Sequence, residues 1–343
     1  MGLPPSHEIN RRMVGVNEKT SSPNNAFKRR PSVRLRLPPV ALNSDVRPLN
    51  HMNQSNAFFL PGEATDPAYV NVRDEVDLND AKAYTEALWT KYRHLADPNF
   101  LTDAKNHFLQ RFWEMYVACS LIHHGFDLHR VGSEGPEFYF LHEGRQIWVE
   151  AIAPGPGNGP DRVPEIDYGE MHLVPTEKIL LRFTSALREK NRQYHAAIKK
   201  GILQQGDSVL LAVNCRGIPY APNGAEMPYI VKAFLPFGAL AFTIGTQTDK
   251  VLESFNQFRP EVRKENSSPV ATTSFLSPEF ASFVAVLHSA VDCANYPDKL
   301  GGDFMVLHNP SSTHPLSTSV FSWCRQYQFS DQTLHEVPQN TEV

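Results

Sequence analysis

Residues 135–154 read GPEFYFLHEGRQIWVEAIAP, and the two halves mirror each other about Glu143 and Gly144. Strands are expected at 137–142 and 145–153. A two-residue loop fixes the register of such a hairpin. Arg145 then faces His142, Trp148 faces Tyr139, and Glu150 faces Glu137. Side chains opposed on one face stand about 5 Å apart, where like charges repel. A purely structural hairpin has little reason to keep two carboxylates there, whereas hard divalent cations are held by convergent carboxylates. The alternative is two solvated glutamates on an open sheet face. Tyr139, Trp148 and Ile152 share that face by the two-residue period, which marks it as half buried.

Working outward, a helix is expected before the hairpin, with Asp103 as its cap and Gly125 at its end. Phe108, Phe112, Met115, Cys119 and Ile122 recur there at three- and four-residue steps. Glu114 lies beside Phe112 and Met115 and shares a face with Gln110. It can reach over the hairpin as a half-buried acid, or pair with Arg111 or Lys105. A shorter surface helix is expected at 79–95. After the hairpin come a Gly/Pro loop at 154–164 and a long helix from Thr176 to about Lys200. The apolar run SVLLAVNC, 208–215, then suits a buried central strand reached by a helical crossover. Strands are expected at 229–235, 239–244 and 303–308, a helix at 278–290 and an exposed loop at 246–277. The fold class is therefore α/β, a mixed central sheet with the hairpin carrying the site, flanked by helices.

With Glu114 in QRFWEMY, Pro136-Glu137 in GPEF and Glu150-Ala151-Ile152 in WVEAIAP, the segment 103–215 resembles the PD-(D/E)XK nuclease superfamily. That family, the restriction-endonuclease-like fold, carries an acid on the first helix, Pro-Asp opening one strand and (Asp/Glu)-x-Lys on the next. The resemblance implies Mg²⁺, with Mn²⁺ as a substitute, held by Glu137 and Glu150. Glu114 would hold a water or a second ion, and the partner would be nucleic acid. Two departures stand out. Glu137 is one methylene longer than the family's aspartate, and Ile152 occupies the lysine position. Either the chain is an inactive homologue acting as a binding or scaffold protein, or the lysine comes from elsewhere. Relocation to the following helix is known in the superfamily, and Lys190 lies there on the stripe Phe183, Leu187, Tyr194. The competing reading has Lys190 snorkelling outward. Arg182 and Gln193, on an adjoining stripe, either touch the phosphate backbone of a substrate or form an exposed polar face.

Bulk properties set the remaining bounds. The chain has 343 residues and a net charge of −4. Residues 1–51 hold nine Lys/Arg against three acids, leaving −10 on the rest, so a domain-wide basic footprint is absent. The expected organisation is a disordered basic tail at 1–55, a single α/β domain at 56–330 and a flexible tail at 331–343. The tail is either a phosphate-binding arm or a dispensable extension. No apolar run reaches the ~20 residues that span a bilayer. Four scattered cysteines without a CxxC pair point away from a disulfide framework or a zinc site, and toward a reducing cytoplasm. The adjacent His123 and His124 diverge on a helix, and His308 is expected at a turn.

Overall fold

The protein is seen in a computed structural model that describes residues 13–15, 55–130, 135–169, 173–223, 227–247 and 249–339. Its helices are α1 (Pro67–Asp74), α2 (Asn79–Tyr92), α3 (Phe100–Ala104), α4 (Phe108–His123), α5 (Thr176–Lys199) and α6 (Tyr229–Phe234). The strands are β1 (Met13–Gly15), β2 (Phe138–His142), β3 (Arg145–Ile152), β4 (Ser208–Asn214), β5 (Phe237–Ile244), β6 (Val251–Phe258), β7 (Glu261–Arg263), β8 (Pro269–Ala271), β9 (Phe283–Ser289), β10 (Met305–His308), β11 (Arg325–Ser330) and β12 (Thr333–Val337). Seven of them form a mixed sheet in the order β12-β11-β10-β9-β4-β3-β2.

The hairpin closes on Glu143 (φ 50°) and Gly144 (φ 75°), the left-handed pair a two-residue reversal requires. His142 pairs with Arg145 and Tyr139 with Trp148, in the register its length dictates. Outside β2, His129 and Tyr139 exchange both backbone hydrogen bonds at 2.8 Å. From β3 the chain crosses through α5 and returns as β4, parallel to β3. Every residue of β4 is buried, as a strand covered on both faces must be.

The pleat sorts side chains between two cores. Phe138, Phe140, Val149 and Ala151 pack with Phe112, Met115 and Tyr116 of α4. Trp148, Ile152, Val209, Leu211 and Val213 pack with Phe183, Leu187 and Tyr194 of α5. Trp113 Nε1–H fixes α4 to the sheet by donating to the Ala212 carbonyl (3.0 Å). Glu150, between Val149 and Ala151, therefore points to the α5 side.

Several expectations need correction. Asp103 does not cap α4: it lies in α3 and binds Arg111 (2.6 Å). The first amide of α4, Phe108 N–H, donates instead to Asp66 Oδ2 (2.8 Å), whose Oδ1 caps α1. Residues 79–95 are not merely a surface helix, because Leu88, Trp89 and Tyr92 are buried. Within 278–290 only Pro278–Phe280 makes a helical turn. Phe283–Ser289 is a strand held between β4 and β10, so cross-strand pairing overrides helix spacing. Instead of the strand expected at 229–235, Tyr229–Phe234 forms α6. The expected loop at 246–277 contains β6, β7 and β8, and β6 joins β5 and β1 in a separate sheet. The tail at 331–343 is not all free: Asp331 and Gln332 (φ 50° and 60°) turn β11 into β12, which pairs along it. Of the tail at 1–55, only Met13–Gly15, paired with β5, and Ser55 fall among the described residues. His308 ends β10 and is buried against Gln326 (2.8 Å).

Candidate active site

Glu150 and Lys190 meet on the α5 side of the sheet. Lys190 Nζ–H donates to Glu150 Oε1, joining the middle of α5 to β3. The ammonium therefore turns inward rather than snorkelling. Burial depresses its proton affinity, but Glu150 and Glu137 outweigh that and raise it above the usual lysine value. Ile152, two residues beyond Glu150 on the same face, is buried among apolar neighbours.

Glu137 sits one residue before β2, since the hairpin ladder ends at Phe138 and Val149. Its Oε2 accepts a hydrogen bond from Ala151 N–H (2.9 Å). Burial raises its proton affinity well above the ordinary range, and repulsion from Glu150 and then Glu114 adds to this. Glu150 is also raised, by burial against the opposing pull of Lys190. Two carboxylates thus lie near one ammonium, which contacts Glu150, while Glu137 accepts from Ala151 N–H.

Glu114 is fully buried rather than half buried, and it is occupied. Tyr92 Oη–H and Arg111 Nη1–H (2.7 Å) both donate to it, and Arg130 stands 3.6 Å away. The Arg111 pairing is the alternative that the sequence left open. Among the described residues no three His, Cys, Asp or Glu side chains gather into a metal-binding group.

Gln110, one turn before Glu114, clamps the backbone of β3 instead. Its Nε2–H donates to Ala151 O (2.7 Å) and its Oε1 accepts from Ala153 N–H (2.8 Å). With Glu137 on Ala151 N–H, the backbone just after Glu150 is held at Ala151 N–H, Ala151 O and Ala153 N–H. The shared face of Gln110 and Glu114 was readable in the spacing, but not which backbone Gln110 would grip.

A cavity of about 390 Å³ opens beside Glu150 and Lys190. Gly135 and Pro136 line it on one element, and the exposed Gln193 and Lys200 with the buried Tyr194, from α5 and its cap, line it on another. Leu203, Val209 and Phe283 form the floor. Gln193 is exposed at the edge and donates to Glu189 (2.9 Å). Arg182 is not at this cavity. It donates to the Gly155 carbonyl (2.9 Å) and lies so close to Gly157 that a Cβ there would sit 2.7 Å from its Nη1. It therefore braces the Gly/Pro loop after β3. His123 and His124 do not converge on a metal; His124 stacks on Trp323 at 3.6 Å.

Compared with known proteins, the chain matches no family model, no curated protein and no solved structure. Among the described residues no helix is long and apolar enough to cross a membrane.

Proposed function

We propose that the chain is a Mg²⁺-dependent phosphodiesterase acting on nucleic acid, with its lysine supplied by α5. The observation that carries this reading is the delivery of Lys190 Nζ to Glu150 beside Glu137, at the mouth of a cavity. The order of elements supports it as well: helix, bridge at His129, hairpin, helix, parallel strand.

The donors suit Mg²⁺. Glu137 commits one oxygen to Ala151 N–H and Glu150 one to Lys190, which leaves the other oxygen of each for a cation. Mg²⁺ is commonly bound through one or two carboxylates and completes its shell with water and substrate phosphate. Two carboxylates without a third acidic partner therefore fit it. When bound, the ion supplies Lewis acidity at the phosphoryl group. Glu137 and Glu150 would hold it, and Gln110 fixes the backbone of β3 just after Glu150. Lys190 stays protonated at neutral pH, so it stabilises charge developing on phosphoryl oxygens rather than acting as a base. Glu114, tied to Tyr92 and Arg111, supports the fold of α4 over the hairpin.

The second reading, an inactive homologue serving as a binding or scaffold protein, is favoured by the direct Lys190–Glu150 pair and by Ile152. Calorimetric titration with Mn²⁺ separates the two. The enzyme reading expects saturable binding that Glu137→Gln and Glu150→Gln each weaken. No binding heat in the wild-type chain would favour the scaffold.

A further inference from the structure

The cavity beside Glu150 is not accounted for by phosphate chemistry. It runs from Glu150 and Lys190 beneath the last turns of α5 to the starts of β4 and β9, at Val209 and Phe283. Its volume, about 390 Å³, is at the low end of the ~300–1,000 Å³ typical of small-ligand pockets. Phosphate and sugar would leave its floor unfilled, because Leu203, Val209, Phe283 and Ile202 offer no polar partner. The two polar side chains on the α5 wall away from the carboxylates, Gln193 and Lys200, stand at one rim. A flat, apolar-faced group with a hydrogen-bonding edge matches this division, and an unpaired nucleobase is such a group.

We infer that this cavity seats one unpaired base next to a phosphodiester that a cation at Glu137 and Glu150 would engage, so that the substrate is single-stranded nucleic acid. The inference rests on the phosphodiesterase reading and specifies its substrate. In a duplex the bases are paired and stacked, and none can enter a side cavity unless it is turned out of the helix at a cost of a few kcal/mol. A strand already unpaired has no such cost. Tyr194 closes one side, its hydroxyl donating to the Asp207 carbonyl (2.9 Å), so the wall is held in place before a base arrives. Gln193, whose amide N–H donates to Glu189, stands at the exposed edge with its carbonyl oxygen placed to accept from a base.

The test uses the full chain with Ca²⁺ in place of Mg²⁺ and measures fluorescence anisotropy with three probes. These are a labelled single-stranded oligonucleotide, the same strand with one abasic position at each site in turn, and the blunt duplex. Base seating predicts that the intact strand binds ~5-fold or more tighter than the duplex and than at least one abasic strand. Ala197→Trp, which fills the cavity from α5, should erase that difference. Gln193→Ala, on the exposed rim, gives a second variant that does not threaten the core, and it should weaken the intact strand more than the critical abasic strand. Equal binding of intact, abasic and duplex probes by the wild type, or a base preference unchanged in both variants, overturns the inference. Cleavage with Mn²⁺ is read in parallel. Base-dependent binding without cleavage upholds the cavity while the hydrolytic reading fails. Glu150-dependent cleavage without base dependence does the reverse.

Discussion

Lys190, in the middle of α5, places its ammonium on the Glu150 carboxylate of β3, forty residues earlier in the chain. A lysine on an apolar stripe is thereby given a partner, and a glutamate on a buried sheet face is given a charge. The side chains are 20% and 14% exposed, so both ions are largely desolvated. Removing one member of such a pair leaves the other uncompensated. Lys190→Met should cost about 1–3 kcal/mol, less than for a fully buried pair because some water remains. The double variant with Glu150→Gln should recover part of that loss. Urea denaturation of the four proteins in the cycle measures the coupling, and strictly additive losses would mean the pair does not interact.

Glu114 should matter to folding more than to chemistry. It receives Tyr92 and Arg111 in a site with no exposure. Glu114→Ala takes the acceptor from the buried Tyr92 hydroxyl and one of the carboxylate partners from Arg111, which keeps Asp103, and should destabilise the chain by about 1–3 kcal/mol. A denaturation midpoint equal to the wild type would contradict this.

Gln110→Ala frees Ala151 O and Ala153 N–H, two backbone groups that have no other side-chain partner among the described residues. A buried group left unsatisfied costs about 1–3 kcal/mol. Amide exchange at Ala153 should accelerate in this variant, while exchange in β4 follows only the global loss of stability. Unchanged protection at Ala153 would show that the clamp is not formed in solution.

His288 predicts an acid limb of the stability curve. Burial alone lowers its pKa from 6.5 to about 4, and its Nε2 has no hydrogen-bond partner among the described residues. The folded state therefore holds fewer protons than the unfolded chain between those values, so stability falls as pH drops through that window and is unaffected above it. The loss from this group is on the order of 2–3 kcal/mol. Thermal melting of His288→Phe from pH 7 to 4 should show a correspondingly shallower decline, and an identical decline would assign the acid limb to other groups.

Local spacing made the hairpin, α4, α5 and β4 legible, because each carries a strong period or a turn whose length sets the register. The inward turn of Lys190 was visible only as one of two choices, since a stripe shows where a side chain starts and not where its tip goes. The fate of Glu114 was likewise undecided until Tyr92 and Arg130, from distant segments, came into contact with it. Errors clustered where pairing decides conformation. Phe283–Ser289 has helix-compatible spacing but lies between two strands. Asp66 caps α4 from 42 residues away, which no local cap signal could reveal. The cavity is assembled from α5, β4, β9 and the segment before β2, so no single window of sequence contained it.

The most direct measurement is cleavage of a labelled single strand and a plasmid with Mg²⁺ or Mn²⁺, by wild type and by Glu150→Ala purified identically. The account predicts metal-dependent cleavage by the wild type, abolished by chelation and reduced about 100-fold or more in the variant. No cleavage of either substrate by the wild type, or equal residual cleavage in both proteins, would contradict it.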